Sequence, residues 1–141
     1  MFKVVWFVSL LAMTAVFVYC YASWPQVVNL SEPEGDISLD KGILFYSCLA
    51  LAALFNALVF VVSRMKYSEA FSTWFYGLVA SFHAFLVSGL IFITIFNSLE
   101  KYDYARVGPT LYASIILLIL WSAGWPVYSL YIRFSTQAKV S

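Results

Sequence analysis

The sequence predicts an all-α membrane protein: a bundle of four transmembrane helices, sequentially antiparallel, with both termini on the cytoplasmic side. Three observations predict it. Only 11% of the 141 residues are charged while 63% are hydrophobic, and the mean hydropathy is +0.88. A water-soluble domain carries about 25% charged residues, so this chain cannot cover a globular surface with ionised groups and lipid must cover it instead. Four apolar runs, 4–22, 43–62, 75–97 and 111–132, contain no Lys, Arg, Asp or Glu, and one such residue at a helix centre costs roughly 2.5–3.5 kcal/mol on insertion scales. Finally, each span uses ~20 residues to cross ~30 Å of hydrocarbon, so four spans and their connections exhaust the chain as one membrane domain, 1–141.

The first run follows Lys3 and ends at Cys20-Tyr21-Ala22, which loosely resembles a signal-peptide cleavage site. It is longer than the usual apolar region of ~7–15 residues, so the reading is a retained helix. The second and third runs are joined by the short link 64–74, and the third and fourth by 100–109. These links predict antiparallel packing of helices two, three and four as sequential neighbours. Orientation follows from the basic residues: with the termini inside, Lys3, Arg64, Lys66, Arg133 and Lys139 are cytoplasmic, and Lys41, Lys101 and Arg106 are outside. The larger cytoplasmic share favours this topology. Trp6, Trp24, Trp74, Trp125, Tyr128 and Tyr131 lie near span ends, where interfacial aromatics concentrate.

In lipid, helix backbones approach one another through small residues. Ala80, Ala84 and Ser88 form an i, i+4, i+8 ridge on the third helix, and Ala53 with Ala57 a shorter one on the second. Depth adds a further expectation. At 1.5 Å per residue, Asn56 lies about 18–20 Å below the outer end of its helix and His83 lies about 18 Å below the same surface. The same sum brings Thr14 and Ser122 close to that level, predicting an intramembrane polar layer of Asn56, His83, Thr14 and Ser122. An intramembrane ionisable residue is by default a functional candidate, so His83 is either a proton-handling or ligand-contacting group or a neutral imidazole bonded to Asn56. The spans offer no carboxylate to complete a proton relay, which favours the second reading. Pro126 lacks an N–H and should bend or loosen the fourth helix around Ser122.

The motifs exclude more than they assign. No Ser-His-Asp set, phosphate-binding glycine loop, dinucleotide fingerprint, CxxC or HExxH is present, so no catalytic residue, metal or cofactor is expected. Haem is disfavoured because His83 is the one histidine, and Met13 is the one methionine well inside a span. Cys20 and Cys48 are too few for a disulfide framework, although both fall near the outer end, where a single bridge is conceivable. Eight basic against seven acidic residues leave no positive excess to attract nucleic acid. The expected partners are the lipid bilayer and other membrane protein subunits.

The outer loop 23–42 reads as an ordered loop or short interfacial piece, with Glu32, Glu34, Asp36 and Asp40 against Lys41. Clustered oxygens could attract calcium, but the spacing is not that of an EF-hand. Pro25, Val28, Gly35, Asp36 and Lys41 resemble the stretch after the first helix in a bacterial family of small polytopic proteins, the domain of unknown function in SdpI-type immunity and signalling proteins. That stretch reads Leu-Pro-x-x-Val-Pro-x-His, followed by Gly, Asp and Lys. Here Trp24 stands in place of the Leu, the second Pro is missing and no His stands near Asn29. The resemblance implies a bacterial inner-membrane protein and transfers no catalytic residue. Three functions remain as expectations: an accessory or scaffolding subunit of a larger membrane complex; a small oligomeric transporter or channel using the Asn56/His83 layer; and an immunity or sensing protein reading a ligand through the outer loop.

Overall fold

A computed structural model describes residues 2–31, 37–65, 67–98 and 106–137. In chain order they form α1 (Phe2–Ser23), a hairpin of β1 (Val27–Asn29) and β2 (Ser38–Asp40), then α2 (Lys41–Arg64), α3 (Glu69–Phe96) and α4 (Gly108–Gln137). All four helices are long and apolar enough to cross a membrane. Glu32, Glu34, Gly35, Asp36, Lys66, Glu100, Lys101, Asp103 and Lys139 lie outside the described residues.

α2 and α3 begin before their apolar runs because polar side chains cap their first turns. Asp40 caps α2, its Oδ1 accepting from Gly42 N at 2.7 Å. The Ser68 Oγ caps α3, accepting from Phe71 N at 3.2 Å, and this starts the helix at Glu69 rather than at the first uninterrupted apolar residue. α4 opens on Gly108-Pro109, where proline is tolerated because a first-turn N–H would have no helical partner. The same residue type does not end α4 later: the helix runs through Pro126, so the ring deletes the bond to the Ser122 carbonyl without breaking the element.

The Asp40 cap has a pH signature. Backbone N–H donation from Gly42, reinforced by the Gln26 amide, holds its carboxyl below the usual value of 3.8. A lowered folded-state value means that the stabilisation is complete above the unfolded value and is lost as the pH falls through the folded one. Carboxyl chemical shifts should therefore titrate below 3.8, with hairpin protection lost over the same window. Asp40→Asn should keep the cap and abolish the pH dependence. A midpoint at or above the ordinary carboxylate range would contradict this assignment.

α2, α3 and α4 pack as sequential neighbours, as expected, while α1 packs chiefly on α3 rather than on α2. α3 is the central helix and contributes Tyr76, Gly77, Val79, Ser81, Phe82, His83, Leu86, Ser88 and Leu90 to the interior. Its most extensive partner is α1, which runs parallel to it, followed by α4 and then α2; α1 and α2 touch little. Among the described residues of α4, Ser114 is the buried one. The ridge on α3 lies at these contacts, with Ser88 buried and Ala80 and Ala84 half-buried, whereas Ala53 and Ala57 are both exposed. α2 instead packs through Ala52 and Val59, with Phe55 stacked on Phe82 at 4.1 Å.

The 23–42 segment is the antiparallel hairpin, paired Val27↔Asp40, Val28↔Leu39 and Asn29↔Ser38. It is fastened to the end of α3, since Asn97 Oδ1 accepts from Asn29 N at 2.7 Å and Asn97 Nδ2 donates to Asn29 O at 2.9 Å. Val28 is buried beneath it with Trp24, Cys20 and Phe17.

Candidate functional site

A polar cluster joins α1, α2 and α3. Asn56 and His83 are brought together, Asn56 Nδ2 standing 3.0 Å from His83 Nε2. The other ring nitrogen, Nδ1, is 2.9 Å from Ser9 Oγ. Trp6 Nε1 donates to Asn56 Oδ1 at 2.9 Å, Asn56 Nδ2 also donates to Ala52 O at 2.8 Å, and Ser9 Oγ donates to Trp6 O at 2.7 Å. His83 itself is fully enclosed.

These bonds admit one consistent assignment of protons. The Trp6 donor fixes the Asn56 carbonyl, so both Asn56 N–H groups point away from it, one to Ala52 O and one to the His83 Nε2 lone pair. Nδ1 then carries the ring proton and gives it to Ser9 Oγ, whose own proton is already on Trp6 O. A second ring proton would need the Asn56 amide to turn over, breaking its bonds to Trp6 and Ala52. Interhelical hydrogen bonds in membranes contribute ~0.6 kcal/mol each on average, so the three here supply on the order of 2 kcal/mol. Their larger effect is to fix the mutual rotation and depth of three helices.

Thr14 and Ser122, expected in this layer, are elsewhere. Thr14 is exposed and donates to Leu10 O in its own helix at 2.8 Å; Ser122 is exposed and donates to Leu118 O at 2.7 Å. Five residues separate Ser9 from Thr14, which turns the second side chain about 140° away from the first. Ser122 misses the layer because α4 packs on α3 away from the cluster. Trp6 and Ser9 take these places; their i, i+3 spacing, with a donor ring and a hydroxyl on one face, was the available signal.

Two further constructions use indole N–H groups within the bundle. Near the hairpin, Trp24 Nε1 donates to Thr94 Oγ1 at 2.8 Å, and this hydroxyl donates to Leu90 O at 2.7 Å while lying 3.2 Å from Cys20 Sγ. Cys20 and Cys48 are both free thiols. At the other end, α3 and α4 carry the same four-residue pattern, Trp74-x-x-Gly77 and Trp121-x-x-Gly124. Trp74 Nε1 donates to Trp121 O at 2.7 Å, and Trp121 Nε1 donates to Trp74 O, also at 2.7 Å. Each indole lies over the other helix's glycine. This reciprocal clasp fastens α4 to α3 through two side-chain-to-backbone hydrogen bonds. It also removes Trp24 and Trp74 from a purely interfacial role, since both N–H groups are satisfied by protein atoms.

The chemical content of the site is thus closed. Among the described residues every buried side-chain nitrogen and oxygen has a hydrogen-bond partner, and no group of three His, Cys, Asp or Glu is placed to hold a metal. Comparison with protein-family models, with curated proteins and with solved structures gives no match.

Proposed function

We propose that this chain is a small integral membrane subunit that scaffolds a larger membrane protein complex, inserted with both termini on the cytoplasmic side of a bacterial inner membrane. The observation that carries this reading is the outward position of Ala53 and Ala57 on α2. Small residues four apart are the surface through which membrane helices approach closely, and no helix of this chain covers them. Around them α2 presents exposed Tyr46, Leu54, Phe60 and Val61, a surface fit for lipid or for another protein's helix. The greater cytoplasmic share of Lys and Arg supports the orientation, and the resemblance of the 25–41 stretch to the SdpI-type family supports the location. Carriage of a solute past Asn56 and His83 has less support, because the donors and acceptors there are already paired with one another.

Extraction in mild detergent after cross-linking tests the proposal. A membrane protein partner at fixed stoichiometry is expected, its retention lost in Ala57→Phe while the variant's thermal unfolding stays unchanged. A chain recovered only as a free monomer, with and without cross-linking, would overturn the scaffolding reading.

A further inference from the structure

Residues paired directly across an antiparallel ladder share a face, and neighbours along a strand alternate. Val28 and Leu39 therefore occupy one face of the β1–β2 hairpin, and Val27, Asn29, Ser38 and Asp40 the other. The ladder continues one step beyond the strands, Leu30 N donating to Ile37 O at 2.8 Å, which puts Leu30 and Ile37 on the Val28 face. That face is apolar throughout, whereas the other sets Asn29, Ser38 and Asp40 beside Val27.

Val28 shows which way the apolar face looks. Its side chain is fully enclosed and packs with Phe17, Cys20 and Trp24, so the face is turned to the ends of the helices and hence to the bilayer. The residues that share it stay uncovered: Leu30 is 36%, Leu39 37% and Ile37 57% exposed. The hairpin is held by one edge, since Asn97 at the end of α3 bonds Asn29 on the edge of β1. β2, with Leu39 and Ile37, lies on the side away from Asn97.

The hairpin also stands at headgroup depth. α3 is 28 residues long, about 42 Å at 1.5 Å per residue, which matches the ~40–45 Å of a bilayer with its headgroups rather than the ~30 Å of its hydrocarbon. Asn97 caps that helix, so the strand it holds is at the membrane surface. Exposed Tyr19 and Tyr21 near the end of α1 and Tyr46 in the second turn of α2 mark the same level, where interfacial aromatics concentrate. Attraction to anionic lipid cannot supply the contact, because the 30–41 stretch of sequence carries Glu32, Glu34, Asp36 and Asp40 against Lys41. Apolar side chains must supply it.

We propose that the hairpin is an interfacial anchor, its Leu30, Ile37 and Leu39 face laid into the headgroup and upper acyl region of the adjacent leaflet while the Val27 face meets water. The proposal rests on the membrane reading of the chain and requires no partner subunit.

Fluorine NMR of the full chain, made with fluorinated tryptophan and held in phosphatidylcholine nanodiscs, tests it. The five native tryptophans leave the added resonance of Ile37→Trp or Ser38→Trp distinct, and the Trp24 resonance reports that the hairpin stays seated. The Ile37→Trp signal should be lost on adding lipid with a nitroxide high on its acyl chain and kept with a water-soluble gadolinium chelate; Ser38→Trp, on the opposite face, should do the reverse. The unsubstituted chain gives a second readout: a diazirine on a lipid acyl chain should label Leu30, Ile37 or Leu39 and leave Val27 unlabelled. Equal loss of both added signals to the chelate would place the hairpin in water, and an Ile37→Trp signal spared by both agents would mean that protein covers it. Either result, or diazirine labelling of Val27 equal to that of Leu39, would overturn the anchor. Solubility of the folded chain without detergent would instead overturn the membrane reading itself.

Discussion

Gly77→Ala is expected to destabilise the seating of α4 on α3 by about 1–3 kcal/mol, the usual cost of overfilling a packed contact. A Cβ at residue 77 would overlap the Trp121 ring and come within 2.6 Å of its Nε1. The ring cannot simply swing aside, because Nε1 is bonded to Trp74 O and the ring packs on Phe2. Relief of the clash therefore breaks one half of the clasp and leaves an indole N–H and a carbonyl seeking partners in hydrocarbon. Gly124→Ala supplies the contrast. Its added Cβ would lie 3.7 Å from Trp74 Nε1, an ordinary van der Waals contact, and alanine is favoured over glycine within a helix by roughly 0.5–1 kcal/mol. The two substitutions, chemically identical and at matched positions of one motif, should have opposite signs. Reversible unfolding in mixed micelles, followed by tryptophan fluorescence, measures both. Equal effects would mean that the clasp does not attach α4.

Asn56→Leu should cost about 2 kcal/mol, because one change strands Trp6 Nε1–H and His83 Nε2 together in apolar surroundings. His83→Leu should cost a similar amount by stranding the Asn56 amide and Ser9. Because the two share a bond, the double substitution should cost less than the sum, with a coupling of about 0.6–1.7 kcal/mol. Thr14→Val and Ser122→Ala, which remove hydroxyls bonded only to their own helices, should be near neutral. If Thr14→Val proved as costly as Asn56→Leu, the cluster would not be what holds the helices in register.

These contrasts separate what was legible in the sequence from what was not. Asn56 and His83 could be paired before any fold was known, because both depths follow by counting from span ends. Thr14 satisfied the same sum and still points away, because depth is one coordinate and rotation about the helix axis is another. Trp6 and Ser9 were hidden for the same reason, Trp6 by its place near a span end. Trp-x-x-Gly occurs on both α3 and α4, and a search for paired motifs on predicted neighbours would have found it; its reciprocal geometry would still have needed the crossing of the two helices.

Legible in the residues alone were four segments long and apolar enough to cross a membrane, their approximate limits and the pairing in depth of Asn56 with His83. Each of these follows from quantities additive along the chain: the cost of charge in hydrocarbon and a rise per residue set by backbone hydrogen bonds. Tertiary structure alone decided that α3 is the central helix, that α1 lies parallel to it, and which side of each helix turns inward. In spans apolar on every side, hydrophobic periodicity carries no direction. Facing is then settled pair by pair, where an indole meets a glycine or an amide meets an imidazole.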